Sequence, residues 1–315
     1  MFQKYGKTIK LFLLDADPDG RMICELSNWT GKAYRIPRGK VKDCSDRDEL
    51  KSTAVYLLFG KAESSTSKPK VYIGEAENAY TRLVQHVSEK EFWNESVVFI
   101  SKDENLNKAH IKYLESRLYE IANSASRYEV QNGNTPTKSS ISEADQAEME
   151  EFIEYVKMLI NTMGFKVFEP ILKKDTENIE SEELFIKGAR GANAVGKRVT
   201  DGFVVFKESE IALDTVPSFP KGFNTLRAEL LEGEVIKNHD DKLMFESDYL
   251  FSSPSAAAAV VMGRSANGLI EWKDKSGRDL KSIEAHEIQK ANKANAADAK
   301  SRAADYIMRI NENHI

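Results

Sequence analysis

Tyr56 and Tyr72 lie inside two short apolar runs, Ala54-Val55-Tyr56-Leu57-Leu58-Phe59 and Val71-Tyr72-Ile73-Gly74-Glu75. Arg82 and His86 follow, four residues apart, and Glu115 comes later in a second helical stretch. Phosphodiester hydrolysis needs an activated water, a Lewis acid on the phosphate, and positive charge where negative charge develops. Two phenols, a guanidinium, an imidazole and a carboxylate supply those parts if the fold gathers them. A phenol titrates near ~10 and is a poor base at neutral pH, so it must be helped by a neighbour. Taken singly, each residue has a plainer explanation. Strand tyrosines are most often core aromatics. An Arg-His pair at i, i+4 is usually a helix surface, and a lone glutamate is usually a salt-bridged surface group.

The elements that must position these residues follow from the pattern. Residues 53–60 and 69–76 form an antiparallel pair, because the polar connection 61–68 is too short for a parallel crossover. Both strands are apolar at successive positions, so both faces are covered. Val97-Val98-Phe99-Ile100 supplies a third strand. Tyr80, Leu83, Val84 and Val87 mark one apolar stripe of a helix over 77–89, with Asn78, Arg82 and His86 on a separate polar row. Ile111, Leu114, Leu118 and Ile121 mark the buried stripe of a helix near 106–123. Glu115 sits beside that stripe, where a carboxylate needs a cation or donors, which makes it a metal-ligand candidate.

Residues 1–50 read as a small β unit, with strands at 9–14, 22–26 and 33–36 and turns at 15–20 and 28–32. Arg35, Arg38, Lys40 and Lys42 form a basic cluster, read as a solvated surface with phosphate contact as the alternative. Residues 125–140 are loop, and a domain boundary is placed at 138. Ser142 caps an acidic helix whose Met149, Phe152, Ile153, Val156, Leu159 and Ile160 face inward. This helix and a charged, mobile linker from Lys173 make up 139–183. Residues 184–280 read as a mixed α+β module. Strands at 183–186 and 202–206 flank Lys187 to Arg198, read as a flexible hairpin loop. Its Lys187, Arg190, Lys197 and Arg198 are candidate phosphate contacts, although the stretch lacks P-loop spacing. A helix at 222–233 turns Leu226, Leu230 and Leu231 inward. Ser253 caps a small-residue helix with Pro254 in its first turn. Residues 268–277 suggest a hairpin around Trp272. Residues 281–315 form a charged helix suited to a partner or to homo-oligomerisation.

The composition is globular, 41% hydrophobic and 30% charged, with a net charge of −5. That charge is uneven: about +3 for 1–138, about −8 for 139–185 and about zero beyond. A local positive groove is enough for nucleic acid, so the acidic average does not exclude it. No apolar run approaches the roughly 18–20 residues needed to cross a bilayer. There is no apolar secretion signal at the N-terminus, and the two cysteines, Cys24 and Cys44, are expected as free thiols in a cytoplasmic protein.

In order and spacing, Tyr56, Tyr72-Ile73-Gly74, Arg82, His86 and Glu115 resemble the GIY-YIG nuclease superfamily. Ala54-Val55-Tyr56 replaces the name-giving Gly-Ile-Tyr, whereas Tyr72-Ile73-Gly74 is intact, and the pattern covers about 53–135. The resemblance implies an α+β fold with a three-stranded antiparallel sheet flanked by helices. It also implies a metal-dependent endonuclease that cuts DNA, in repair, restriction or defence, with one Mg²⁺ or Mn²⁺ on Glu115. Tyr56 would be the general base or would orient the attacking water, with Tyr72 in the same network. Arg82 would neutralise the transition state, and His86 would assist proton transfer or hold phosphate. Gly74 would lie against the substrate. The family's asparagine falls on Asn132, with Asn134 and Asn123 as alternatives. Phe251 to Ala257 and Gly268 to Lys273 also resemble an uncharacterised C-terminal module of bacterial members. The degenerate first motif leaves a second expectation open, a nuclease scaffold that binds nucleic acid or protein without cutting.

Overall fold

The computed structural model describes residues 5–62, 68–171 and 183–293. The stretch 172–182 and the chain beyond 293, which hold most of the expected linker and C-terminal helix, lie outside the described residues. The protein is mixed α+β and divides into two compact units, Met1–Lys173 and Lys174–Ile315. Among the described residues no helix is long and apolar enough to cross a membrane. Cys24 and Cys44 are free and buried.

The first unit is built on one sheet. Its strands are β1 (Ile9–Leu13), β2 (Met22–Leu26), β3 (Gly31–Pro37), β4 (Ala54–Gly60), β5 (Lys70–Ala76), β6 (Glu95–Ser101) and β7 (Glu129–Val130). They lie in the order β1-β2-β3-β6-β4-β5-β7. The antiparallel trio β6-β4-β5 is therefore part of a seven-stranded sheet rather than a sheet of three. The strands expected as a separate unit in 1–50 join it through β3, which pairs with β6 along its whole length, Gly31 opposite Ser101 to Pro37 opposite Glu95. That junction leaves β6 buried at every position but Glu95. The loop expected at 125–140 contains β7, which runs parallel to the start of β5.

Period-2 alternation divides β4 between two cores. Val55, Leu57 and Phe59 point to one face, covered by α2 (Lys108–Ala125) and α3 (Glu143–Thr162). Ala54, Tyr56 and Leu58 point to the other, covered by α1 (Ala79–Glu89), Leu50 and Trp93. Ser142 caps α3 by accepting from the Asp145 N–H. The inward residues of α3 share the core of Val55 and Leu114, so this helix completes the first unit instead of starting a new domain at 139. An apolar face of that length could not stay in water.

The second unit holds β8 (Leu184–Lys187), β9 (Asn193–Val199), β10 (Gly202–Val205), β11 (Glu210–Ile211), α4 (Lys221–Glu232), β12 (Ile236–His239), β13 (Lys242–Phe245), β14 (Tyr249–Phe251), α5 (Pro254–Met262) and α6 (Gly268–Glu271), then a helix from 280 through 293. The stretch expected as a hairpin loop contains β9, which pairs with β8, β10 and β11. Gly196 is there because the Phe203 ring lies across it, and a Cβ would collide with the ring and with the Val204 carbonyl. Ser253 caps α5 with Pro254 in its first turn, and Ala256 to Met262 are all buried. Around Trp272, residues 268–271 form one helical turn, and the expected hairpin is reduced to the antiparallel bridge Lys273–Asp279 across the Gly277 turn, beside the bridge Phe185–Lys273. Leu231, expected to face inward, is exposed, while Leu230 is buried.

Candidate active site

Gly74 stands directly opposite Tyr56 in the β4–β5 register. A Cβ at Gly74 would fall on the Tyr56 hydroxyl and come 2.9 Å from the Tyr72 ring. Its missing side chain lets Tyr56 lie across β5, so Gly74 serves packing and is buried. Asn78 caps α1 by accepting from the Thr81 N–H, which starts the helix just after β5. From that start Arg82 and His86 follow four residues apart on one side of the helix, and Lys90 caps its C-terminal end in extended conformation.

His86 is wholly buried between the two tyrosines, with ring centroids 5.6 Å from Tyr56 and 5.4 Å from Tyr72. The Tyr56 hydroxyl is 2.7 Å from His86 Nε2. His86 Nδ1 is buried without a hydrogen-bond partner. Whichever tautomer forms, one ring nitrogen is left unsatisfied, an arrangement that costs about 1–3 kcal/mol. Lys90 Nζ sits 4.5 Å above the centre of the Tyr72 ring.

The charges are tuned by burial and by one arginine. Burial pushes the Tyr56 phenol well above its ordinary range, and nearby Tyr72 adds to this. Tyr56 is therefore a neutral hydroxyl at neutral pH. Burial, then the Arg82 and Lys90 charges, pull His86 down to about 4, so it is neutral too. Burial, then Glu75, push Glu115 up to about 7, against the pull of Lys112 and Arg82. Burial lowers the Arg82 pKa, but hydrogen bonding and electrostatic attraction to the Tyr56 and Tyr72 phenols more than offset it, and the net shift is upward. Arg82 thus acts on Tyr56, Tyr72, His86 and Glu115 together. It also donates to Gln85 Oε1 at 2.7 Å.

Among the described residues no group of three or more His, Cys, Asp or Glu side chains could hold a metal ion. Nor does the Glu115 carboxyl have a hydrogen bond or ion pair among them. It is half-buried, repelled by Glu75, and ionises with difficulty. A cation would relieve all three. Mg²⁺ and Mn²⁺ fit such a donor set, since Mg²⁺ is usually held by one or two carboxylates with water and phosphate oxygens completing its shell.

Asn132 is bound to β5. Its Nδ2 donates to the Ile73 carbonyl at 2.7 Å, and its Oδ1 accepts from the Ile73 N–H at 3.1 Å. Both ends of the amide are engaged by β5, so Asn132 fixes the strand that carries Tyr72 and Gly74.

The four basic candidates at 187–198 belong to the second unit. Arg190 donates to the backbone carbonyls of Asp214, at 3.2 Å, and Met262, at 2.7 Å, the latter in the last turn of α5. Arg198 pairs with Glu284 at 3.0 Å and Glu287 at 2.7 Å. Both guanidiniums are engaged by their own chain, which is a structural use. Lys187 ends β8 and is exposed, and Lys197 is within β9. Pattern reasoning passed over Glu75 and Lys90. Glu75 directly follows Gly74, and Lys90 is the next member of the i, i+4 row after His86, so both had a signal.

No curated protein and no solved structure matches the chain. The 184–284 segment, which contains Phe251 to Lys273, matches the family described as Domain of unknown function (DUF4357).

Proposed function

We propose that the first unit is a metal-dependent endonuclease of the GIY-YIG type, hydrolysing DNA phosphodiester bonds. The observation that carries this reading is the gathering of Tyr56, Tyr72, His86 and Glu115 within the reach of Arg82. Mg²⁺ or Mn²⁺ on Glu115 would supply Lewis-acid charge to the scissile phosphate. Arg82 offsets the negative charge that grows on the phosphoryl oxygens. Tyr56 keeps its proton in the resting site, where its hydroxyl, held 2.7 Å from His86 Nε2, would orient the attacking water. Tyr72 and Lys90 border the same space and favour an anionic ligand.

The test is cleavage of plasmid and short duplexes with Mg²⁺ or Mn²⁺. Wild type is expected to cut and Glu115→Ala is not. Equal behaviour of the two proteins removes the assignment. The complete burial of Tyr56 favours a second reading, a scaffold that holds nucleic acid without cutting. Metal-independent, salt-sensitive binding that leaves the substrate intact would support it.

A further inference from the structure

The sheet of the first unit treats its two edges differently. At the β7 edge only two residues pair, one of them Glu129, and the Asn132 amide covers the next backbone groups of β5. Such short, polar or covered edges are the usual protection against unwanted pairing. The β1 edge has five residues, Ile9-Lys10-Leu11-Phe12-Leu13, with one charge and neither proline nor glycine. Leu11 is 51% exposed and Phe12 is 62% exposed. Neighbouring strand residues point to opposite faces. A helix laid on one face could cover only one of the two, whereas an added strand flanks both.

The hydrogen-bonding phase of β1 is set by its partner. The Leu14 N–H donates to the Arg21 carbonyl and the Ser27 N–H to the Thr8 carbonyl, each at 2.9 Å. Hydrogen-bonded pairs alternate along an antiparallel ladder. Thr8, Lys10, Phe12 and Leu14 therefore direct their backbone groups to β2, and those of Ile9, Leu11 and Leu13 point away from it.

We propose that β1 pairs with β1 of a second copy, antiparallel, about a two-fold axis at Leu11. In this register Leu11 meets the partner's Leu11, and Ile9 meets the partner's Leu13. The outward backbone groups of all three residues are then satisfied. On the other face Lys10 stands opposite the partner's Phe12, a cation over an aromatic ring. Parallel pairing in register would set Lys10 against its own copy, a like-charge contact that destabilises a sheet. The antiparallel register repeats every favourable pair twice and is self-complementary, as a two-fold interface requires. One short strand covers less than the ~800 Å² per partner of a standard interface, so the association is weak and concentration-dependent.

Sedimentation equilibrium of the full chain, up to about 0.5 mM, tests this. The wild type is expected to move from monomer to dimer mass as concentration rises. Leu11→Lys and Leu11→Glu, each changing an exposed side chain, are expected to stay monomeric alone. Mixed in equal amounts, they are expected to associate, because residue 11 meets residue 11. A wild type that remains monomeric overturns the proposal. So does a dimer that either variant leaves intact, or a mixture that does not associate. Each readout is independent of nuclease activity.

Discussion

The Tyr56 hydroxyl and His86 Nε2 are 2.7 Å apart in a buried site where neither group is charged at neutral pH. Tyr56→Phe keeps the packing and removes this bond, leaving both imidazole nitrogens unpaired. It is expected to lower the unfolding free energy by about 1–3 kcal/mol. Cleavage should fall at least about 100-fold. Urea denaturation and a nicking assay read the two effects separately.

His86 and Glu115 are shifted in opposite senses, and the pH dependence of stability follows. His86 has an ordinary value of 6.5 and a folded value of about 4. Between these the unfolded chain binds a proton that the native protein does not, so stability falls as pH drops from 6.5 towards 4. Glu115 has an ordinary value of 4.5 and a folded value of about 7. There the native protein binds the extra proton, and stability falls as pH rises from 4.5 to 7. Each slope is at most ~1.4 kcal/mol per pH unit, and the two oppose each other where the windows overlap. Relative to wild type, His86→Gln is expected to lose stability as pH rises through that overlap. Glu115→Gln is expected to lose it as pH falls. Urea midpoints at several pH values, with unchanged m-values, provide the measurement.

Gly74→Ala places a methyl group on the Tyr56 hydroxyl, next to the Tyr72 ring. Tyr56 is wholly buried, so any shift of its ring must be taken up by the core around it. Overpacking of this kind costs about 1–3 kcal/mol. Thermal melting should show that loss, and cleavage should drop with it because the hydroxyl is displaced.

Arg82→Lys keeps the charge but loses the planar fork that faces two phenols. Cleavage is expected to fall by about 100-fold or more, with stability nearly unchanged. A loss of less than threefold would remove Arg82 from the proposed chemistry.

Asn132→Ala removes two hydrogen bonds to Ile73 and leaves backbone groups of β5 unpaired. The expected cost is about 1–3 kcal/mol of stability. Cleavage should survive better than in Glu115→Ala, because Asn132 holds the strand and not the substrate. Rate and melting temperature, measured on the same preparation, separate the two roles.

Local periodicity made the inner scaffold of the first unit legible. β4, β5, α1 and α2 all lie within a few residues of where apolar spacing puts them. Long-range pairing was not legible, since nothing in Gly31–Pro37 names β6 as its neighbour. The reading also failed at β9, where glycines and basic residues look like a loop. Gly196 is a strand glycine that makes room for Phe203, as Gly74 does for Tyr56. In the site, nothing in the sequence pairs Asn132 with Ile73, the strand residue whose backbone it holds. The role of Glu75 beside Glu115 depends on a spatial approach between β5 and α2, which sequence distance hides.

A ribosome has delivered Tyr56, Tyr72, Arg82, His86 and Glu115 once α2 is made, yet the hydrophobic layer beneath β4 is completed only by α3 and the residues after it, up to Phe168. A nascent chain that pauses near 138 therefore carries a complete set of reactive groups on an open, sticky support. Any shortened version meant for the laboratory bench should extend past Phe168, the last of those core residues, or it will be lost to aggregation.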